Sequence, residues 1–225
     1  MKHWKRILAG TVFVAALATG SVTLTTALAS ASDDHGAHTS NAHGDRIDPD
    51  VFRQDMRKLW EDHITWTRLY IVSALAGLPD IDATANRLLE NQDDIGDAIA
   101  VFYGDDAGNA LADLLRDHIL IAADLVAAAK AGDDPLVTSK LADWYANADA
   151  IATFLAAANP HWPVATLRDM MRAHLDQTLA EAVARLNGQW ADDVAAYDEI
   201  HLHILHMADT LADGVIDQFP RRFTR

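Results

Sequence analysis

LLRDHILIAADLVAAAKAGD (114–133) is the stretch whose reading decides the fold. Leu114, Leu115, Ile121, Ala122 and Leu125 recur at three- and four-residue intervals around His118, which is the period of a helix with one apolar face. Gly132, at +14 from the histidine, ends that helix. The same arrangement of a histidine, an aliphatic residue and a glycine at +14 occurs twice more, as His63-Ile64 with Gly77 and His174-Leu175 with Gly188. His63, His118 and His174 are almost evenly spaced along the chain, which therefore reads as three copies of one unit.

Sliding the sequence by the interval from His118 to His174 extends the correspondence. Asn91 falls on Asn147, Asp93 on Asp149, Ile95 on Ile151, Ile99 on Leu155 and Arg116 on Arg172. A second shift places Asn147 on His203 and Ile151 on Met207. Six segments carry helical periodicity, over 50–77, 82–102, 107–131, 136–158, 163–187 and 190–218, and no segment alternates as a strand would. Stop signals separate them at Gly77-Leu78-Pro79, Gly104, Gly132 to Pro135, Asn159-Pro160, Gly188 and Pro220. The connections are short, so consecutive helices are expected to lie antiparallel. The expectation is an all-α, up-and-down bundle of six antiparallel helices built from three repeated helical hairpins, in one domain over 49–220.

Residues 1–31 read as a cleaved export signal. Lys2, Lys5 and Arg6 precede a short apolar core, and Ala27-Leu28-Ala29 and Ala29-Ser30-Ala31 are small-residue cleavage sites. The expected destination is extracellular, periplasmic or the cell envelope, with no stable membrane span after cleavage. Residues 32–48, with His35, His38 and His43, read as a disordered polar linker. The chain has no cysteine, which excludes disulfides and thiolate metal sites. Its formal net charge of −15, made more negative by loss of the signal, argues against nucleic acid and anionic lipid as partners.

The chemistry-bearing residues are the histidines. His118 lies on an apolar face; His63 shares a face with Leu59, Trp66, Thr67 and Tyr70, and His174 with Leu167, Met170, Met171 and Thr178. On the last helix Ile200, Ile204, Met207 and Leu211 form a core stripe, flanked by Glu199, His203, His206 and Thr210. Equivalent flanks carry Asn91 with Asp94, and Asn147 with Ala150. Neutral imidazoles suit copper, zinc, nickel or iron. The expected metal site therefore draws on His63, His118, His174, His203 and His206, with Asp94 or Glu199 as oxygen donors, for storage, delivery or sensing. The alternative is a non-metal structural or ligand-binding bundle, its histidines and Asn or Asp residues joined in a buried hydrogen-bond network. Haem has no Cys-x-x-Cys-His attachment motif here, and no phosphate loop or nucleophile elbow suggests an enzyme.

The stretches LWEDHITWTR (59–68), LLENQDDIGDAI (88–99), LLRDHILIAADLVAAAKAGD (114–133), WYANADAIATFLAAANP (144–160) and HILHMAD (203–209) resemble an uncharacterised family of small bacterial helical-bundle proteins. The resemblance implies a helical bundle. Some members carry the labels glycosyltransferase or acetylglutamate kinase, for which this sequence has no nucleotide-sugar or phosphate-binding loop. No catalytic residue is carried over.

Overall fold

A computed structural model describes residues 46–224. It forms six long helices: α1 (Pro49–Ala76), α2 (Ile81–Tyr103), α3 (Asp105–Ala131), α4 (Asp134–Ala158), α5 (Val164–Leu186) and α6 (Trp190–Gln218), followed by a 3-10 turn at Pro220–Arg222. The described fold is all-α, and each helix boundary falls within a few residues of the sequence reading. The expected export signal and nearly all of the expected linker lie outside the described residues.

Local chemistry accounts for the boundaries. The Asp48 side chain accepts from the backbone N–H of Asp50 and Val51, and Pro49 opens α1 where no helical N–H is needed. At the other end of α1, Gly77 takes the left-handed conformation (φ 67) and the chain turns out of the helix. Gly104 alone joins α2 to α3, with φ 87 and ψ 161, a backbone region that side-chain-bearing residues rarely enter. The two helices it links cross closely. A Cβ on Gly96 would lie 2.7 Å from the Gly108 carbonyl oxygen, and one on Gly108 would lie 2.6 Å from that of Gly96.

Each helix packs on the next in the chain, and α6 returns to pack on α1. Across this closed set, α1 also touches α3 and α5, while α3 and α5 have little backbone contact with each other. Core positions on the last helix are those of the predicted stripe: Ile200, Ile204, Met207 and Leu211 are all buried.

One hydrogen bond recurs three times at the repeat spacing. Asn91 Nδ2 donates to the Leu59 carbonyl at 3.1 Å, Asn147 Nδ2 to Leu114 at 3.0 Å, and His203 Nε2 to Met170 at 2.9 Å. Each acceptor lies one helical turn before one of the three buried histidines. Ion pairs Arg116–Asp93 and Arg172–Asp149 also occupy matching places.

The first and last described residues meet at one end of the bundle. Ile47 and Phe223 form an isolated parallel bridge, with Ile47 N–H donating to Arg222 O and Thr224 N–H to Ile47 O. Phe52, Phe102, Phe219 and Phe223 pack there with ring centroids 5.2–5.7 Å apart. Ile47 and Asp48, read from sequence as the end of a linker, thus belong to the folded unit, and so does Phe223 beyond the expected boundary at 220. Among the described residues no helix is long and apolar enough to cross a membrane.

Candidate functional site

The three equivalent histidines meet. His63 on α1, His118 on α3 and His174 on α5 are no more than 4 % exposed, with His174 between the other two. Its ring centroid lies 5.7 Å from that of His63 and 6.5 Å from that of His118. The register explains the meeting. Trp60, Leu115 and Met171, each at −3 from its histidine, line a tight apolar void of about 20 Å³ in the core. Thr67, Ala122 and Thr178, each at +4, line a larger cavity of about 120 Å³. The imidazoles form the layer between the two.

The larger cavity is bounded by α1 to α5 and is almost wholly apolar. Tyr70, Ile71, Leu88, Leu125 and Trp144 form much of its wall, and no charged side chain lines it. Its room comes from α3, where Ala122, Ala123 and Ala129 face it. Val183 and Leu186 of α5, which line it, are 46 % and 41 % exposed.

A partner on α4 fixes the proton on one of the rings, and a residue of α2 approaches another. Asn147 Nδ2 donates to the Leu114 carbonyl, so its Oδ1 is the atom 2.8 Å from His118 Nδ1. An oxygen there requires a proton on Nδ1 and leaves Nε2 of His118 as an acceptor. Around His63 the contact is looser: Gln92 Nε2 donates to the Leu88 carbonyl at 2.7 Å and to Asn91 Oδ1 at 3.3 Å, and lies 3.4 Å from His63 Nδ1.

His174 has no such partner: its Nδ1 is buried and unpaired among the described residues. His203 follows His174 at the same interval of +29 at which Asn147 follows His118. An asparagine offers a donor and an acceptor on one short amide, whereas the His203 ring spends Nε2 on Met170 and has nothing left on that side for His174. The two rings stack with centroids 6.4 Å apart.

Burial keeps the layer uncharged. Desolvation lowers His63 to about 3, aided by His118 and opposed by the Gln92 contact. It lowers His118 to about 4 against the opposing Asn147 hydrogen bond. His174 falls well below its ordinary value through burial, then through repulsion from His63, His118 and His203. Three neutral imidazoles therefore face the cavity at physiological pH.

The other expected ligands do not join them. His203 is half-buried and bound to the Met170 carbonyl, and does not line the cavity. Asp94 is exposed and paired with Arg87 at 3.3 Å. Glu199 and His206 are exposed, because the flank that carries them turns toward solvent once Ile200, Ile204 and Met207 are buried. Among the described residues no group of three or more His, Cys, Asp or Glu side chains is gathered to hold a metal ion. The expected seven-residue set thus reduces to three histidines. Their amide partners Asn147 and Gln92 were open to discovery, since each follows its own histidine, His118 or His63, at the same interval of +29.

A buried ionic cluster also went unread in the sequence. Arg68 contacts Glu181 at 2.5 Å and Asp193 at 2.9 Å, and Arg185 contacts Asp193 at 2.9 Å. Burial pushes the Glu181 carboxyl up to about 7, against the pull of Arg68. Burial acts on Asp193 in the same sense, but hydrogen bonds from Arg185 and Arg68 outweigh it and hold the carboxyl below its ordinary value. The cluster ties α1, α5 and α6 together beside the cavity and does not line it.

Comparison of the chain with protein-family models, curated proteins and solved structures finds no match.

Proposed function

We propose that this chain is an exported binding protein that holds a small, uncharged, mainly apolar molecule in the cavity above the histidine layer. The carrying observation is the cavity itself: about 120 Å³, walled by aliphatic and aromatic side chains, with its only imidazoles neutral. An apolar cavity of about 150 Å³ takes up benzene, so this space of about 120 Å³ suits a ligand of about six heavy atoms or fewer. The absence of charged lining residues disfavours ions, because a buried charge needs a paired partner. Nothing in the site supplies a nucleophile–base pair, so the reading is binding rather than catalysis.

Benzene titration followed by NMR tests it. Saturable shifts confined to residues such as Ile71, Leu125 and Thr178 support the reading, and Ala122→Phe, which fills the cavity, should abolish them. Absence of saturable binding to the wild-type chain overturns it.

A metal-binding reading keeps one favouring observation, the 5.7 Å between the His63 and His174 centroids. Two imidazoles sharing one metal, at about 2.0–2.1 Å per nitrogen, bring their centroids to about 5 Å, so a small shift would be needed. Stoichiometric uptake of Cu(II) or Zn(II), lost in His174→Ala, would favour metal over the apolar ligand.

A further inference from the structure

One fixed proton in the imidazole layer says what kind of molecule the cavity takes. Asn147 uses Nδ2 on the Leu114 carbonyl, so its Oδ1 holds the hydrogen on His118 Nδ1 and leaves Nε2 a bare acceptor. That nitrogen has no partner among the described residues, and unlike His174 Nδ1 it is not sealed inside the packing. Trp144 and His174 lie against the His118 ring, with centroids at 5.2 and 6.5 Å, and Asn147 covers its Nδ1 edge. What the ring presents to the cavity it lines is therefore the far edge, which carries Nε2.

The three copies differ one turn beyond the layer, and the smallest side chain there follows His118. Position +4 is Thr67 after His63 and Thr178 after His174, but Ala122 after His118. Both threonine hydroxyls donate to the carbonyl of their own histidine, at 2.7 and 2.9 Å, so neither has a proton for His118 Nε2. A wholly apolar molecule seated here would strip water from that acceptor and leave it buried without a donor. A cation would supply a proton but bury its charge in a space that no charged side chain lines.

We propose that the ligand of this cavity is a small, neutral, mainly apolar molecule bearing an N–H or O–H group, which donates to His118 Nε2 while the apolar body fills the space beside Ala122. This rests on the cavity being a ligand site. His118 is then the residue that selects among apolar molecules of equal size, by whether they carry a proton to donate.

The test compares pyrrole with furan on the full chain. The two rings match in size, but pyrrole donates through its N–H and furan has no proton to donate. Pyrrole is expected to bind about tenfold tighter, or about 1.4 kcal/mol. His118→Phe, which keeps a ring against Trp144 and removes the acceptor, should erase that preference. Nitrogen-15 NMR of the unliganded wild type reads the His118 proton directly and does not depend on any variant folding. The proton is expected on Nδ1, and the bare Nε2 resonance should move on addition of pyrrole but not of furan. Pyrrole binding no tighter than furan, a preference that survives in His118→Phe, or a His118 proton on Nε2 overturns the donor proposal and leaves the cavity reading intact. Failure of benzene, furan and pyrrole alike to bind overturns the cavity reading, and this proposal with it.

Discussion

Acidification should weaken this bundle through its buried histidines, and the size of the effect follows from the site. His63 and His118 are held at about 3 and about 4 by burial. In the unfolded chain each returns to about 6.5. Their folded values are lowered, so their contribution to stability is complete above about 6.5 and is lost as pH falls. At pH 5 both rings are still neutral in the folded state and protonated in the unfolded one. The gap from 6.5 to 5 is about 1.5 units at 1.36 kcal/mol each, or about 2 kcal/mol per histidine and about 4 for the pair. The value depends only on the folded rings staying neutral at pH 5. His174 is lowered further and adds in the same direction. Glu181 opposes them: raised to about 7 in the fold, it takes up a proton between pH 7.5 and 5 that the unfolded chain does not, which stabilises by about 2 kcal/mol. Stopping at pH 5 keeps ordinary carboxylates near 4 ionised. Urea denaturation at pH 7.5 and 5 measures the balance. The wild type should lose at least about 2 kcal/mol, and Glu181→Gln, which removes the opposing group, at least about 4. If Glu181→Gln is as stable at pH 5 as at pH 7.5, the histidines are not buried and neutral, and the account of the layer fails.

Further outcomes follow from particular contacts. Gly214→Ala should destabilise severely, by about 3 kcal/mol or more, because its Cβ would lie 1.9 Å from Nε1 of the buried Trp162; a thermal melt reads it. Arg68→Ala leaves Glu181 and Asp193 buried beside a single remaining cation, Arg185, and should cost about 3–5 kcal/mol in chemical denaturation. Asp48→Ala removes the side-chain acceptor for the first amides of α1 and should cost about 1 kcal/mol in the same assay.

The fold was legible because its signals are local and repeated. Gly77, Gly132 and Gly188 stop three helices at one distance from three histidines, and the apolar period between them is unbroken. That period also placed the histidines on the inward face. It could not say how far inward the flank of α6 turns, since Glu199 and His206 lie only a fraction of a turn from buried Ile200 and Met207. A polar stripe at the edge of a core looks the same whether it faces solvent or a site. The cavity was invisible for a different reason. It is made by what Ala122, Ala123 and Ala129 fail to fill, and an alanine run reads as helix propensity, not as space. The Arg68–Glu181–Asp193–Arg185 cluster joins α1 to the distant α5–α6 pair, with no periodic trace in the sequence.

The departure of the third copy from the other two yields the sharpest prediction. In the second copy one asparagine serves two partners, the Leu114 carbonyl and His118 Nδ1. In the first, the work is divided between Asn91 and Gln92. In the third, His203 keeps the carbonyl contact and His174 Nδ1 goes without. A buried group left without a partner costs roughly 1–3 kcal/mol, so folding alone gives no reason for histidine at 203. His203→Asn should restore the arrangement of the second copy: Nδ2 donating to Met170 and Oδ1 accepting from His174 Nδ1–H. The expected gain is about 1–2 kcal/mol in urea denaturation, after some packing lost with the smaller side chain, and a protected His174 Nδ1 proton should appear by NMR. A variant no more stable than the wild type, with no such proton, would show that His174 is already satisfied and that the three copies do not share one hydrogen-bonding scheme. A stabilised variant would mean that the natural chain keeps an imperfect third copy at a cost to its own stability. That is the pattern of a position held for something other than folding.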